Sequence, residues 1–293
     1  MRRSTTFAGT EPVDTGFTEK LSRRPVLAVA LLAQLILAVV LLWTAAPPPP
    51  APEGAQRATP TSTGTVADPV TRLDLPDGRT ARLIGLGGAH TAALLDRIAA
   101  ELPSASAAVT DFWGPEWPRE VVIAAAASEH QFRVLAGGSR DIAATTTSQR
   151  IMFSPAAADM SPAALRIVLR HELFHYATRS RTAVDAPRWL SEGVADFVGR
   201  PPAAVPGPVE AAALAQLPTD VDLDTPGAAR SPAYDRAWWF SRYVADRYGT
   251  QALRELYLRA CGPGHPDVAT AVRDTLGAGL DQVVLGWRQW MTG

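Results

Sequence analysis

Residues Leu169–Ala177 read LRHELFHYA, and seventeen residues after His175 comes Glu192, within Trp189-Leu190-Ser191-Glu192-Gly193. Ser161-Pro162 opens a helix predicted to reach Arg179, because a serine cap followed by proline favours a helix start. His171 and His175 lie four residues apart on that helix, so both imidazoles share one face and can bind one metal ion. Two neutral nitrogens at about 2.0–2.1 Å suit Zn2+. Glu172, next to the first histidine, is placed to hold a water. A catalytic zinc needs a third protein ligand. Glu192 and Asp196 are at i and i+4 on a second predicted helix, Pro187–Val198. Glu192 could reach the metal while Asp196 accepts a hydrogen bond from His171, fixing that imidazole's orientation. Leu169, Leu173 and Phe174 mark a largely buried helix rather than a solvated face.

The rest of the domain fits around these two helices. Thr71–Leu75 and Thr80–Ile84 flank Pro76-Asp77-Gly78, a hairpin signal. Thr91–Leu102 has helical periodicity, and Glu120–Ala126 is a short buried strand. Ser128–Leu135 begins on a cap residue, and Thr145–Ser154 reads as one or two strands. Helices are predicted near 209–217, 234–248, 251–259, 268–276 and 280–291. The expected fold is α+β, with a small mixed α/β lobe followed by a helical one.

HExxH followed by Glu-xxx-Asp resembles the gluzincin metallopeptidases, the group that includes thermolysin. The fuller pattern, RHELFHYAT, APRWLSEGVADFV and YDRAWWFSRYVADRYG, looks like the peptidase MA-like families of bacterial membrane and secreted proteins. The resemblance is specific over about residues 151–248. It implies a zincin-like domain with the metal between a sheet lobe and a helical lobe. It implies His171, His175 and Glu192 as zinc ligands, Glu172 as the general base and Asp196 as the partner of His171. Tyr234, in the Y-x-x-A pattern, is the implied oxyanion donor. Arg150, Ile151, Met152, Phe153 and Ser154 are the implied edge strand on which an extended peptide would lie. The implied reaction is hydrolysis of peptide bonds by a zinc-activated water. A GxMEN-type aminopeptidase motif is missing from the sequence, so nothing in it supports an exopeptidase.

The chain ends set the expected location. Pro25–Ala46 is a run of 22 residues without a charge, interrupted by Gln34 and Thr44 alone among polar side chains. About 20 apolar residues of helix span a bilayer core. Residues 1–24 carry five basic and three acidic residues, with Arg23 and Arg24 abutting the run. The positive-inside rule then puts 1–24 in the cytoplasm and the remainder outside. A cleaved signal peptide is the other reading; the run is longer than a usual signal core, and Pro47 follows Ala46. Residues 47–69, rich in Pro, Ala and Thr, read as a tether, leaving 70–293 as the extracytoplasmic domain. Of 293 residues, 47% are hydrophobic and 19% charged, which excludes wholesale disorder. A net charge of −1 does not point to a nucleic-acid binder, which would normally show a basic face, and the single cysteine, Cys261, excludes an intrachain disulfide. His265, in a Gly–Pro loop, could also approach the cleft. The runner-up function is a zinc-containing binding or scaffold module without turnover, for which a closed, four-ligand site would be the mark.

Overall fold

The computed structural model describes residues 70–137, 142–225 and 230–293. The expected tail, membrane segment and tether at 1–69 lie outside the described residues. Among the described residues no helix is long and apolar enough to cross a membrane.

The domain is α+β and rich in helix. Strand β1 (Val70–Asp74) pairs antiparallel with β2 (Thr80–Gly85) across the Pro76-Asp77-Gly78 turn, where Gly78 takes a φ of 78°. Strand β3 (Glu120–Ala125) runs parallel to β2. The connection between them is helix α1 (Gly88–Trp113), as a parallel crossover requires. After helix α2 (Glu129–Ala136) the chain forms β4 (Ala144–Thr146) and β5 (Ile151–Phe153), and the sheet order is β1-β2-β3-β5-β4. Helices α3 (Pro162–Thr178), α4 (Arg188–Gly199), α5 (Pro208–Leu214), α6 (Asp220–Asp224), α7 (Arg230–Tyr248), α8 (Thr250–Cys261), α9 (Val268–Leu276) and α10 (Leu280–Thr292) follow.

Two expectations need correction, and one element was not anticipated. The segment Arg150–Ser154 is not an edge strand. Its central residues form β5, which lies between β3 and β4 with Ile151, Met152 and Phe153 fully buried. The chain reverses at Ser148-Gln149, closed by Thr147 N donating to Arg150 O at 2.8 Å, so the polar Ala144–Thr146 stretch takes the outer position. An unbroken apolar run such as IMF suits a strand covered on both faces. Helix α1 does not stop before Pro103 but continues to Trp113. Ala105, Val109, Phe112 and Trp113 extend the buried stripe of Leu94, Ile98 and Leu102, and that packing outweighs the amide proton lost at the proline. The five-residue α6 was not foreseen; it is held by a Thr219/Asp222 capping box.

Two contacts fix the helices that matter most. Phe174 on α3 packs against Phe112, Trp113 and Tyr257, with ring centroids 5.8, 5.9 and 5.3 Å away. These rings clamp the buried face of α3 and leave its other face for polar side chains. Helix α4 is wedged between α3 and α7 at two glycines. A Cβ on Gly193 would lie 2.5 Å from the Ala237 carbonyl oxygen of α7, and one on Gly199 would lie 3.0 Å from the Ile167 carbonyl oxygen of α3. Overpacking of this kind costs about 1–3 kcal/mol. Gly193→Ala is therefore expected to lower stability by that amount in urea unfolding, by forcing α4 away from α7; unchanged stability would show that the backbones are not in contact there.

Candidate metal centre

The exposed-side residues of α3 meet the first turns of α4. His171 Nε2 lies 3.1 Å from His175 Nε2 and 3.1 Å from Glu192 Oε2; His175 Nε2 lies 3.6 Å from the same oxygen. The three side chains are 15%, 21% and 16% exposed, so the cluster is recessed yet retains some contact with solvent. Among the described residues these are the three whose donor atoms converge as a metal site would need.

The fourth residue of the set fixes the tautomer. Asp196 Oδ1 lies 2.9 Å from His171 Nδ1. Burial raises the pKa of Asp196, but Arg200 and His171 outweigh it and hold the carboxyl below its ordinary value. An ionised carboxylate only accepts, so Nδ1 carries the proton and donates it. A neutral His171 then turns a bare lone pair toward His175 and Glu192. Three electron-rich atoms at 3.1–3.6 Å repel one another unless a cation or a proton stands between them. A four-coordinate zinc with bonds of about 2.0–2.1 Å sets its donors about 3.3 Å apart. The residues present therefore fit a zinc ion in both chemistry and spacing.

Without a metal, the proton does that work. Burial opposes a charge on His171, yet hydrogen bonds to Asp196 and Glu192 hold its pKa well above 6.5. Burial would raise Glu192, but His175 and His171 hold it well below 4.5.

Around the donors the structure adds groups that sequence reasoning missed. Thr146, on the edge strand β4, has its hydroxyl 2.7 Å from Glu172 Oε2 and 2.9 Å from the Glu172 carbonyl oxygen, and Glu172 is 8% exposed. Asp220 caps α4 from α6, accepting from Arg188 N at 3.1 Å and Trp189 N at 2.8 Å; Pro187 has no side chain that could do so. Arg188 has its Nε 3.9 Å from Glu192 Oε1 and pairs with Asp224. Burial disfavours the Arg188 cation, but Tyr234, Glu192 and Asp224 together raise its pKa. No local pattern announces Thr146 or Asp220, which topology brings in from 26 and 31–32 residues away.

Tyr234 is half-buried on α7, close enough to Arg188 to act on its charge. Tyr176 points away, its hydroxyl donating to Glu120 O at 3.1 Å. His265 Nδ1 lies 2.9 Å from the Pro266 carbonyl oxygen and Nε2 lies 3.6 Å from Asp185 Oδ1. Of Arg150–Ser154, none belongs to the cluster.

No protein-family model and no curated protein matches the chain. Solved structures do. An M1 zinc metallopeptidase from Deinococcus radiodurans is 20% identical with a TM-score of 0.44, over 77% of this chain and 52% of that one. The Legionella pneumophila aminopeptidase A in complex with aspartic acid is 16% identical with a TM-score of 0.48, over 76% of this chain and 28% of that one. The chain thus spans about half the length of the first and less of the second. At such values the reading of the site rests on the chain's own donor set.

Zinc titrations should find one ion per chain, lost in His171→Ala and weakened in Glu192→Ala; unchanged zinc content in Glu192→Ala would remove that ligand. Binding must expel the proton from His171, so affinity is expected to rise with pH until the raised His171 pKa is passed. The metal-free protein should behave oppositely. Stabilisation from protonated His171 is full below the unfolded value of 6.5 and is lost as pH rises through the higher folded value. Stabilisation from ionised Glu192 is present above 4.5 and is lost as pH falls through its lower folded value. The rise in melting temperature caused by zinc should therefore grow with pH; a gain independent of pH would contradict the proton assignment.

Proposed function

We propose that the protein is a zinc-dependent metallopeptidase of the gluzincin type. The observation that carries the reading is the convergence of His171, His175 and Glu192, with the Glu172 carboxylate on the same helix as both histidines. Three donors leave a coordination position open, which favours catalysis over a structural zinc closed by four. The zinc ion would supply a Lewis acid that polarises a scissile carbonyl and makes water more acidic.

The chain's own groups perform the proton transfers. Glu172 accepts a proton from the attacking water and returns it to the leaving amine. Thr146 can serve both states of that carboxyl group. Its hydroxyl hydrogen goes to Glu172 Oε2 when the group is ionised. When the other carboxyl oxygen carries the water's proton, the hydroxyl still holds Oε2, so that proton stays available to the leaving amine. Tyr234, beside the Arg188 cation, is the proposed donor to the developing oxyanion. Because β4 is one of the two edge strands of the sheet and the one that touches Glu172, through Thr146, its outer side is the proposed seat for an extended peptide, held by main-chain hydrogen bonds. We place the domain outside the cytoplasmic membrane, anchored by residues 25–46 through the 47–69 tether, on the strength of the charge-free run and its basic flank.

Hydrolysis of a quenched-fluorescence peptide library by the full chain tests the proposal. Glu172→Gln is expected to keep zinc and to lose about 10²–10⁴-fold in turnover, the usual worth of a positioned base. Full activity in that variant would overturn the mechanism. Thr146→Val should lower kcat with zinc content unchanged, and Thr146→Ser should restore it.

A further inference from the structure

The last turn of α4 carries a charge bridge that hydrolysis itself does not call on. Arg200 Nη2 donates to Asp196 Oδ2 at 2.5 Å, and Arg200 Nη1 donates to Asp235 Oδ1 on α7 at 2.6 Å. The Asp196 side chain is 7% exposed and that of Arg200 23%. The other oxygen of Asp196 receives the His171 Nδ1 proton at 2.9 Å. Four side chains therefore run in series from α3 through α4 to α7: His171, Asp196, Arg200 and Asp235.

A carboxylate held through one oxygen can still turn about its last torsion, which is broad and roughly two-fold. A second bond on its other oxygen stops that rotation. Arginine is suited to the task, because its planar fork reaches two acceptors at fixed angles and keeps its charge at any physiological pH. Asp235 in turn stops Arg200 from swinging away, and the guanidinium lies 5.1 Å from the centre of the Trp238 ring. Arg200 also forms part of the wall of an open pocket of about 320 Å³, with Pro201, Pro202 and Trp238, so its position can be reached from solvent.

We propose that Arg200 is a positioning residue for the metal centre: it locks Asp196 so that His171 presents Nε2 to the ion. The proposal rests on the zinc reading of the site and not on peptidase activity. Loss of a group bonded to a metal ligand weakens metal binding about 10–100-fold, and Arg200 holds such a group, Asp196, in place.

The test uses the full chain, with zinc affinity from chelator competition and the visible spectrum of the cobalt(II) form as a report on ligand geometry. Arg200→Ala is expected to weaken zinc within that range and to alter the cobalt spectrum. Guanidinium at tens of millimolar, far below denaturing levels, should enter the vacated pocket wall and restore part of the affinity, whereas sodium chloride at equal ionic strength should not. Native affinity and spectrum in Arg200→Ala would overturn the proposal and leave the zinc reading intact. A loss that guanidinium does not restore would also overturn it, since a mere tie between helices predicts that result. Should the alanine variant fail to fold, Arg200→Lys keeps the cation but cannot bridge both carboxylates; it should bind zinc several-fold more weakly, and native affinity would sink the idea. Absence of zinc binding by the unaltered chain would instead bring down the parent reading, and this one with it.

Discussion

Three lone pairs held 3.1–3.6 Å apart in a recess set the terms for the rest of this domain. Such an arrangement is repulsive when empty of positive charge, so it persists only if the scaffold resists its relaxation. The scaffold does so with helices clamped from behind. Phe174 is enclosed by three aromatic rings beside His175, and α4 has glycine where it meets α3 and α7. The apolar face of α3 and the polar face that holds the donors are thus two sides of one constraint.

Charges around the donors are arranged in opposed pairs. The carboxylates of Glu192 and Asp196 would repel each other on successive turns of α4, and each has an arginine on the side away from the histidines: Arg188 for one, Arg200 for the other. Asp220 and Asp224 on α6 complete the balance at the start of α4, where a carboxylate also meets the free amide groups of the first turn. Removing a cation from such a network leaves a buried anion without compensation, which is more damaging than losing the bond alone.

Much of this was legible in the chain. The HExxH spacing and the Glu192/Asp196 spacing are local, with a period set by the helix, so one sequence suffices to place those side chains on shared faces. The Arg188–Glu192 and Asp196–Arg200 pairs have the same i,i+4 signal and could have been read in the same way. Thr146 and Asp220 could not, because their roles come from where a strand and a short helix fall after folding. The edge strand was misplaced for a related reason: periodicity tells that IMF is buried, but the order of strands depends on a reversal at Ser148-Gln149 whose residues also suit an ordinary loop. Pro103 misled in the opposite direction, since a local helix breaker was overruled by the stripe of apolar side chains on either side of it.

The hydroxyl of Thr146 links the edge strand β4 directly to the carboxylate of Glu172. On the proposed function, a peptide that pairs well with β4 steadies the strand and, through it, the base. A peptide that pairs badly would still bind, but beside a base held less firmly. Discrimination among substrates would then be written into the rate of turnover more than into the strength of binding, and a short ligand that fails to span the strand would be a poor substrate without being a poor inhibitor.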